Sequence, residues 1–542
     1  MGSVMHFGMN EPIMRWRKAI PLILIFAGLG AYHNSLRGAF VLDDIRGLDG
    51  IQHVQHFWLL PEVVAGTSRP LVQFSLAVNR AFGGPNVSGY HAVNVAIHIL
   101  AALTLFGVAR RTLLLCGRDA PWLALAVALI WEVHPLLTQS VNYIIQRGEL
   151  LVGLLCLLTL YCLIRGAESN ASGRWYALSV ACCGLGMVSK PVMVSAPVLV
   201  LMFDRTFLAR SVREAIRLRR WLYLGLAATW LLLPVMLAQG PKDWKGSAGM
   251  GVNAAFPLEY AATQAGVLVH YLRLVVWPER LCFDYAWPIA TTAREILPFA
   301  IIIAGLLGLT AWALMRRSWL GFLVACFFII LAPTSSFIPI TDVAVEHRMY
   351  LAAAAVVAAI VIMVNGFLRR CIPRPEWRRF ISAILLVVGV VELMALTMRR
   401  NVDYRTVESI WRDTIAKRPE NPRAHYALGQ ALASAGDLEA ASAEFRQAIS
   451  LRPDYSEAHF DLGNVLIRQE QRAEAIKSYS MAIRVNPSYA KAYDNLGVAL
   501  YSQGRTNEAI ECFFQALRIE PDLSNARRNL HMALRGLETL QH

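Results

Sequence analysis

Two sequence patterns meet near residue 400, and together they restrict the folds that this chain can adopt. Up to Met398 the chain is a series of apolar runs separated by short loops, whereas from Asn421 onward three units of 34 residues follow one another. The chain is 56% hydrophobic over 542 residues, with a mean hydropathy of +0.43, which is too apolar for a soluble protein. The pattern predicts an all-α protein with a polytopic membrane domain, residues 1–400, followed by a helical repeat domain, residues 401–542.

The apolar runs of the first domain are candidate membrane spans. A transmembrane helix needs roughly 17–25 predominantly apolar residues, and runs of about this length or slightly less recur between charged loops. We predict eleven spans, at 19–32, 92–109, 120–133, 149–164, 175–189, 191–203, 221–238, 296–315, 318–333, 350–368 and 380–398. The stretch 259–277 is also apolar but contains His270 and Arg273, so we predict that it lies at the outer membrane interface instead of crossing.

The distribution of charge predicts which loops face the cytoplasm. Residues 1–400 hold 35 Lys and Arg against 20 Asp and Glu, whereas residues 401–542 hold 17 against 18. If the basic segment 14–18 stays inside, the inside segments hold 21 basic against 6 acidic residues, and the outside loops hold 14 of each. This contrast predicts a cytoplasmic N-terminus on an uncleaved anchor, with the repeats outside. Because the excess charge lies in the membrane domain, we expect no nucleic-acid partner.

The 34-residue units follow the tetratricopeptide pattern, with Leu-Gly on a first helix, then Ala, an aromatic residue and Ala on a second, then Pro. The units are 421–454, 455–488 and 489–522, and a capping helix covers 523–540. Such arrays bind extended peptides in a groove lined by their first helices, although some serve only in assembly. The residues expected to face that groove and hold an acceptor polypeptide are Arg423, Tyr426, Gln430, Asn464, Arg468, Lys491 and Asp494.

An adjacent acidic pair, Asp43-Asp44, follows the first span by about ten residues. A carboxylate there can act as a general base on an acceptor hydroxyl or hold a cation against a phosphate. Other polar residues stand at apolar boundaries on the same predicted face, and such groups are costly at membrane depth, so they indicate a site. They are Arg69, His91, Asn94, His134, Arg147, Glu149, Lys190, Glu346, His347 and Arg348. Arg147, Lys190 and Arg348 suit a lipid-linked phosphate, although Lys190 can also reach the membrane interface from its span end.

Several of these residues have a structural alternative. His91, Asn94 and His98 share one helix face, and hydrogen bonds to neighbouring helices explain them better than a metal site does. Glu149 can pair with Arg147 as readily as it can act in catalysis. The nine cysteines lie mostly inside apolar runs and have no metal-ligand spacing, so neither a zinc site nor a disulfide framework is expected.

The order and spacing of four motifs resemble a known family. The motifs are Arg69-Pro70-Leu71, Tyr90-His91-x-x-Asn94-x-x-x-His98, His134-Pro135 followed by Arg147-Gly148-Glu149-Leu150-Leu151, and Glu346-His347-Arg348-Met349-Tyr350-Leu351. With the repeats that follow, they resemble the transmembrane and tetratricopeptide-repeat O-mannosyltransferases, a branch of the glycosyltransferase C superfamily. The resemblance covers essentially the whole chain.

The resemblance implies a reaction and a place for it. Superfamily members take a sugar from a polyprenyl-phosphate donor on the non-cytoplasmic face and transfer it to an acceptor, commonly a protein Ser or Thr. It implies an inverting enzyme in which Asp43-Asp44 is the catalytic pair and Arg348 contacts the donor phosphate. The few repeats and the compact membrane part indicate a bacterial relative in the inner membrane with periplasmic repeats, so the identity of the sugar does not carry over.

The sequence therefore predicts a membrane glycosyltransferase that uses a polyprenyl-phosphate-linked sugar, with Asp43 or Asp44 as the base. Arg348, Lys190 and Arg147 would neutralise the departing phosphate, and the repeats would present the acceptor. A divalent cation is a possible cofactor, and metal dependence stays open. Two alternatives are a non-catalytic membrane scaffold that recruits envelope proteins and a polymerase or ligase acting on lipid-linked glycans.

Overall fold

A computed structural model describes residues 11–42, 44, 67–239 and 256–541, and the chain divides into two compact units. The first comprises Met1–Phe283 and Trp287–Thr406, and the second comprises Asp284–Ala286 and Val407–His542. The secondary structure is helical throughout both units, which confirms the predicted all-α class. The division falls six residues after the boundary predicted at residue 400, just beyond the last helix of the first unit.

Short turns and 3-10 segments join many of the described helices of the first unit, and longer loops cover 277–292 and 332–345. They are α1 Glu11–Tyr32, α2 Pro70–Gly83, α3 Val87–Leu115, α4 Pro121–Glu132, α5 Thr138–Asn142, α6 Arg147–Glu168, α7 Ser172–Met187, α8 Ala196–Phe203, α9 Val212–Leu218, α10 Arg220–Thr229, α11 Leu232–Gln239, α12 Pro257–Val276, α13 Ala293–Met315, α14 Trp319–Leu331, α15 Met349–Cys371 and α16 Pro375–Asp403. The Glu346–Arg348 segment forms a 3-10 turn that leads directly into α15.

Seven helical segments of the described residues are long and apolar enough to cross a membrane. They are Lys18–Arg37, Val87–Leu115, Ile144–Glu168, Pro191–Leu208, Ala293–Met315, Glu346–Cys371 and Pro375–Asp403. The pair Pro121–Glu132 and Pro135–Asn142, bent by 51°, makes an eighth if it is one broken span. The other predicted spans coincide with α7 and with the shorter apolar helices Arg220–Met236 and Trp319–Leu331, so the count of eleven is not confirmed. Helix α12, predicted to lie at the interface, is not among the candidate spans.

Neighbouring helices satisfy the backbone groups that the break between α4 and α5 leaves open. The carbonyl of Glu132 accepts a 2.8 Å hydrogen bond from Nε2 of His98 on α3. The carbonyl of Val133 accepts one of 2.7 Å from Oγ1 of Thr397 on α16. Non-helical backbone at membrane depth is tolerated where such protein partners replace water. The break is therefore stabilised from two sides, and it sets the direction of the His134-Pro135 segment.

The second unit consists of paired helices, as the 34-residue period predicts. They are α17 Val407–Lys417, α18 Pro422–Ala435, α19 Leu438–Leu451, α20 Ser456–Arg468, α21 Arg472–Val485, α22 Ala490–Ser502, α23 Thr506–Ile519 and α24 Ser524–Gln541. In each 34-residue repeat a glycine of the first helix faces an aromatic ring of the second helix. The pairs are Gly429 with Phe445, Gly463 with Tyr479, and Gly497 with Phe513. A Cβ at these glycines would come within 2.5–2.7 Å of the ring, so close helix packing requires glycine there.

Candidate active site

The loop before the Glu346–Arg348 turn is held by side chains from one face of α12. Three of them donate hydrogen bonds to loop carbonyls: Tyr260 to Thr334 at 2.9 Å, Gln264 to Val343 at 3.0 Å and Tyr271 to Val345 at 2.8 Å. A loop that lacks its own backbone ladder needs such partners when it is buried. Helix α12 therefore serves as a platform that fixes the position of the turn.

The turn itself is anchored by one carboxyl side chain and one amide side chain. Oε1 of Glu346 accepts a 2.5 Å hydrogen bond from the backbone N–H of Cys282. Oε1 of Gln139, on α5, accepts one of 2.9 Å from the N–H of His347, while its Nε2 donates 2.8 Å to the carbonyl of Phe283. Both contacts join segments that are distant in sequence, so Glu346 and Gln139 organise this part of the first unit.

Arg348 is almost fully buried, with 8% of its surface exposed. Its Nη1 donates to the carbonyls of Val343 at 3.1 Å and Thr334 at 3.3 Å, and its Nη2 donates to the carbonyl of Asp342. The guanidinium thus holds the preceding loop through backbone carbonyls, and its position beside the loop also lines a small recess. These carbonyls supply dipoles to the guanidinium but no full countercharge.

Lys190 lies at the start of the Pro191–Leu208 segment and pairs with Glu149 of α6. Its Nζ is 2.6 Å from Oε1 of Glu149 and 3.2 Å from Oε1 of Gln146. The sequence offered Arg147 as a partner for Glu149, but the structure pairs Glu149 with Lys190 instead. Burial lowers the pKa of Lys190, the carboxylate of Glu149 raises it, and the charges of Arg69 and Arg348 lower it, so the pKa ends below its ordinary value.

Three cations therefore lie within electrostatic reach of one another at this end of the unit. Arg69 and Arg348 both act on Lys190, and all three act on the imidazole of His347. The Glu149 carboxylate forms an ion pair with Lys190 of this cluster. Like charges at close range repel unless an anion joins them, so this cluster favours a phosphate or another anion.

The recess beside Arg348 adjoins an apolar cavity inside the helix bundle. The recess is lined by Glu149, Thr334 and Arg348, and it shares Cys156, Ile330 and Leu351 with the cavity. The cavity measures about 220 Å³ and lies among α3, α6, α8, α14 and α15. From Leu351 to Ile362 on α15 it extends roughly 16 Å, at 1.5 Å per residue. The recess and the cavity therefore lie side by side, with the guanidinium of Arg348 at the recess and apolar side chains around the cavity.

Arg147, predicted to contact the donor phosphate, is enclosed by α2 and α3. Its Nε donates 2.7 Å to Oδ1 of Asn94, its Nη1 donates 3.0 Å to the carbonyl of Ser75, and its Nη2 donates 3.0 Å to the carbonyl of Tyr90. The side chain has no exposed surface. A guanidinium whose nitrogens are all engaged in this way stabilises the packing of three helices. Arg147 was predicted to be the third cation beside Lys190 and Arg348, but Arg69 is the third cation of the cluster instead.

The histidines and Asn94 of the predicted outer face are buried packing residues. Nδ2 of Asn94 donates 3.0 Å to the carbonyl of Val141. His91 packs against Gly38, where a Cβ would lie 2.6 Å from its Nε2. His134 bonds through Nε2 to the carbonyl of Val275 at 3.0 Å. These contacts agree with the structural alternative for this helix face, and no group of three or more His, Cys, Asp or Glu in the described ranges could hold a metal ion.

Of the acidic pair, Asp43 lies outside the described residues and Asp44 is fully buried. Oδ1 of Asp44 accepts a 2.7 Å hydrogen bond from the N–H of Ile145, and Oδ2 accepts one of 2.9 Å from the N–H of Val41. The first contact places a carboxylate at the N-terminal end of the Ile144–Glu168 helix, where negative charge is favourable. Asp44 thus joins the loop after α1 to that helix, and this arrangement favours a structural role over that of an accessible base.

In the second unit, hydrogen bonds connect the predicted groove residues from one first helix to the next. The contacts are Tyr426 to Asp461 at 2.8 Å, Gln430 to Asp461 at 3.0 Å, Arg468 to the carbonyl of Ala433 at 2.9 Å, Asn495 to Asn464 at 2.7 Å, and Asn529 to Asp494 at 2.8 Å. Lys491 is exposed. The residues therefore share the first-helix face, and most of them also stabilise the stacking of the units.

Arg423, the first of the predicted groove residues, forms an ion pair with Asp284 within the second unit. Its Nε is 2.5 Å from Oδ2 of Asp284, and Nδ2 of Asn421 donates 3.2 Å to the Asp284 carbonyl. Burial raises the pKa of Asp284, but the charge and hydrogen bond of Arg423 and the N–H of Ala286 outweigh it, so the pKa falls below its ordinary value. Arg423 is therefore engaged with its own chain in this structure.

The residues that sequence reasoning missed are the ones that support the turn. Gln139, Tyr260, Gln264 and Tyr271 make the contacts that fix residues 334–348. The three on α12 are spaced by four and seven residues, which puts them on one helix face. That polar stripe in an apolar segment was visible in the sequence, but its partner is a loop about 70–80 residues away.

Three comparisons place this chain among known proteins. Residues 70–238 match the family described as dolichyl-phosphate-mannose-protein mannosyltransferase. The matched residues include Arg147, Glu149 and Lys190. Residues 429–470 and 463–504 match the TPR repeat, and residues 490–523 match the tetratricopeptide repeat. The repeat matches confirm the tetratricopeptide pattern predicted from the period.

Curated relatives match both parts of the chain. Protein O-mannosyl-transferase TMTC4 of Mus musculus is 25% identical over 79% of this chain, and that of Homo sapiens is 26% identical over 79%. Protein O-mannosyl-transferase Tmtc2 of Drosophila melanogaster is 38% identical over 47% of this chain and 29% of its own length. This chain spans 65% of the length of the two TMTC4 proteins.

The solved structures that are similar include tetratricopeptide-repeat proteins. The crystal structure of MamA is 24% identical over 26% of this chain and 76% of its own, with a TM-score of 0.24, which is too low to carry a structural conclusion. The family match in the membrane unit, the repeat matches and the curated relatives agree with one another. The chain is thus similar to the protein O-mannosyl-transferases in its membrane unit and to tetratricopeptide repeats in its second unit, which confirms the resemblance predicted from its motifs.

Proposed function

We propose that this protein is a membrane glycosyltransferase that moves a sugar from a polyprenyl-phosphate-linked donor to a Ser or Thr hydroxyl of a protein. The observation that carries the proposal is that the recess at Arg348 adjoins an apolar cavity and shares Cys156, Ile330 and Leu351 with it. A ligand with an anionic head and a long apolar tail matches both surfaces. The family description of residues 70–238 names a dolichyl-phosphate sugar, which has the same two parts.

The cationic cluster suits the leaving group of such a reaction. In an inverting transfer the acceptor oxygen attacks the anomeric carbon of the sugar, the bond from that carbon to the phosphate oxygen breaks, and its electron pair stays on the phosphate. Arg348, Lys190 and Arg69 lie where they stabilise that growing negative charge. The acceptor proton passes to a carboxylate, for which we propose Asp43, since Asp44 is buried and its oxygens accept backbone hydrogen bonds.

The repeats supply the surface for a protein acceptor. Their first helices present polar and charged side chains along one face, and exposed Lys491 and Gln430 lie on it. We place the protein in a membrane as a multi-pass protein, in agreement with its seven or more apolar helices. By the charge distribution of the loops, we place the reaction and the repeats on the non-cytoplasmic side, in the periplasm of a bacterium.

Donors that differ only in tail length test the proposal. The reconstituted protein is given a polyprenyl-phosphate sugar and the same sugar on a short prenyl phosphate, and transfer to a Ser- and Thr-containing peptide is measured. Ala355→Phe, which fills the cavity, is expected to lower transfer from the long donor much more than from the short one. Val388→Phe, on the exposed face of α16 and outside the cavity, is the matched control and is expected to leave both unchanged.

The two alternatives make different predictions in the same assay. A scaffold without catalytic activity transfers no sugar from either donor. A glycan polymerase or ligase transfers to lipid-linked sugar and leaves the peptide unmodified. If Ala355→Phe lowers transfer equally from both donors, the cavity does not hold the donor tail.

A further inference from the structure

A carboxyl group lies inside the membrane unit, apart from the cationic cluster. Glu132 is the last residue of α4, at the break before His134, and its side chain has no exposed surface. Neither of its carboxylate oxygens has a hydrogen-bond partner in the described part of the chain, and the same holds for the hydroxyl of Tyr32. Tyr32 ends α1 and interacts electrostatically with Glu132, so the two groups are neighbours.

Helix α1 approaches Glu132 closely. A Cβ placed on Gly28 would lie 2.6 Å from Oε1 of Glu132 and 2.6 Å from Cγ1 of Ile99, so only a glycine fits between α1 and these side chains. Under 3 Å a carbon cannot be accommodated without movement. The carboxyl group thus lies against the backbone of the first span at Gly28 and beside the apolar side chain of Ile99 on α3.

The titratable groups around Glu132 are already engaged or uncharged. His98 on α3 uses Nε2 for the Glu132 carbonyl and Nδ1 for the hydroxyl of Tyr350 at 2.9 Å, so both of its ring nitrogens have partners. Tyr404, which follows α16, interacts electrostatically with Tyr32. Arg400 lies over the ring of Tyr404 and pairs with Asp403 at 2.8 Å. No ion pair of Glu132 occurs among the described residues.

An ionised carboxylate without a partner is among the costliest groups that a protein interior can hold. Ionisable residues at membrane depth are accordingly rare and tend to serve a function. We propose that Glu132 is a proton-binding site within the membrane unit, and that its side chain is an uncharged carboxylic acid at neutral pH. Removing that proton would place an unpaired charge between α1 and α4.

The site then couples proton binding to the packing of the first span. In the folded protein the uncharged acid is favoured by its surroundings, whereas in the unfolded chain the carboxyl ionises in water. The folded state therefore binds more protons than the unfolded state at neutral pH, and its stability falls as the pH rises. The proposal is independent of the transfer reaction, since it concerns neither the donor recess nor the acceptor surface.

Infrared difference spectroscopy of the full-length protein in detergent tests the proposal directly. The spectrum of Glu132→Gln is subtracted from that of the parent at neutral pH, and the difference shows whether a carboxylic acid or a carboxylate was lost. We expect the loss of a carbonyl band of a protonated acid. The control is Glu295→Gln, at an exposed capping position of α13, which is expected to lose a carboxylate band. Loss of a carboxylate band in Glu132→Gln would overturn the proposal.

A second measurement does not depend on the variant folding. Titration of the parent protein from neutral to alkaline pH is expected to keep the protonated-acid band until the melting temperature falls. Glu132→Leu removes the ionisable group, and we expect it to flatten that alkaline fall in melting temperature. An acid band absent from the parent at neutral pH, or an unchanged alkaline fall in Glu132→Leu, would show that Glu132 is not the proton-binding group.

Discussion

Nζ of Lys190 lies 2.6 Å from Oε1 of Glu149, and both side chains are close to fully buried at 12% and 7% exposure. The contact joins the segment before α8 to the first turn of α6, beside the recess that contains Arg348. A buried pair of this kind is strongly destabilised when one partner is removed, because the other charge is left without compensation. The pair therefore has a structural role that is separable from a role in donor binding.

Glu149→Gln is expected to lower the free energy of unfolding by about 3–5 kcal/mol, the usual cost of breaking a buried pair. The double variant Glu149→Gln with Lys190→Met removes both charges and is expected to recover most of that stability. Melting temperatures of the two variants measure this. The double variant is also expected to bind the donor more weakly, since it lacks a cation of the cluster. A double variant with the parent's donor affinity would remove Lys190 from the donor site.

Arg348 both supports the loop and adds a cation to the recess. Lys at this position keeps a charge and donors for the loop carbonyls, but it lacks the planar fork that holds two phosphate oxygens. We expect Arg348→Lys to remain near the parent's melting temperature with partial transfer and weakened donor binding. Arg348→Ala is expected to lose nearly all transfer, on the order of 2–5 kcal/mol, and also to melt earlier. Donor saturation measured beside melting temperature separates the two roles, and a Lys variant with normal donor saturation contradicts the phosphate contact.

Conversion of Asp44 to Asn is expected to lower stability, whereas conversion of Asp43 to Asn is expected to lower transfer activity. Asp44 accepts hydrogen bonds from Val41 and Ile145 in a fully buried position, so Asp44→Asn is expected to cost about 1–3 kcal/mol of stability. Asp43→Asn is expected to leave the melting temperature unchanged and to reduce transfer at least about a hundredfold, the scale of a lost general base. An active and stable Asp43→Asn protein would place the base elsewhere.

The pairing of Asp284 with Arg423 predicts a pH dependence of the repeat unit. The pKa of Asp284 lies below its ordinary value, so the pair contributes stability above the unfolded pKa of about 3.9 and loses it as the pH falls through the lower, folded pKa. Asp284→Asn is expected to melt earlier than the parent at neutral pH and to show a smaller loss of stability on acidification. Identical acid profiles for the two proteins would mean that the pair contributes nothing to stability.

The sequence alone determined the division of this chain and the class of each part. A 34-residue period with Gly429, Gly463 and Gly497 in phase predicts paired helices, because the pattern is local and repeats. Apolar runs bounded by charged loops predict membrane helices for the same reason, since hydrophobicity summed over one segment decides it. Four short motifs were sufficient to indicate the family. None of these inferences requires information about tertiary contacts between segments.

Only the tertiary structure decided which of the polar residues share a site. Arg147 and Lys190 look equivalent in sequence, but Arg147 is enclosed by Asn94 and the carbonyls of Ser75 and Tyr90, whereas Lys190 faces Glu149. Asp44 accepts a hydrogen bond from Ile145, which is 101 residues later in the sequence. Helix α12 donates hydrogen bonds to a loop about 70 residues later. Burial and hydrogen bonding depend on which helices pack together, and the pattern within one segment carries no record of its distant partners.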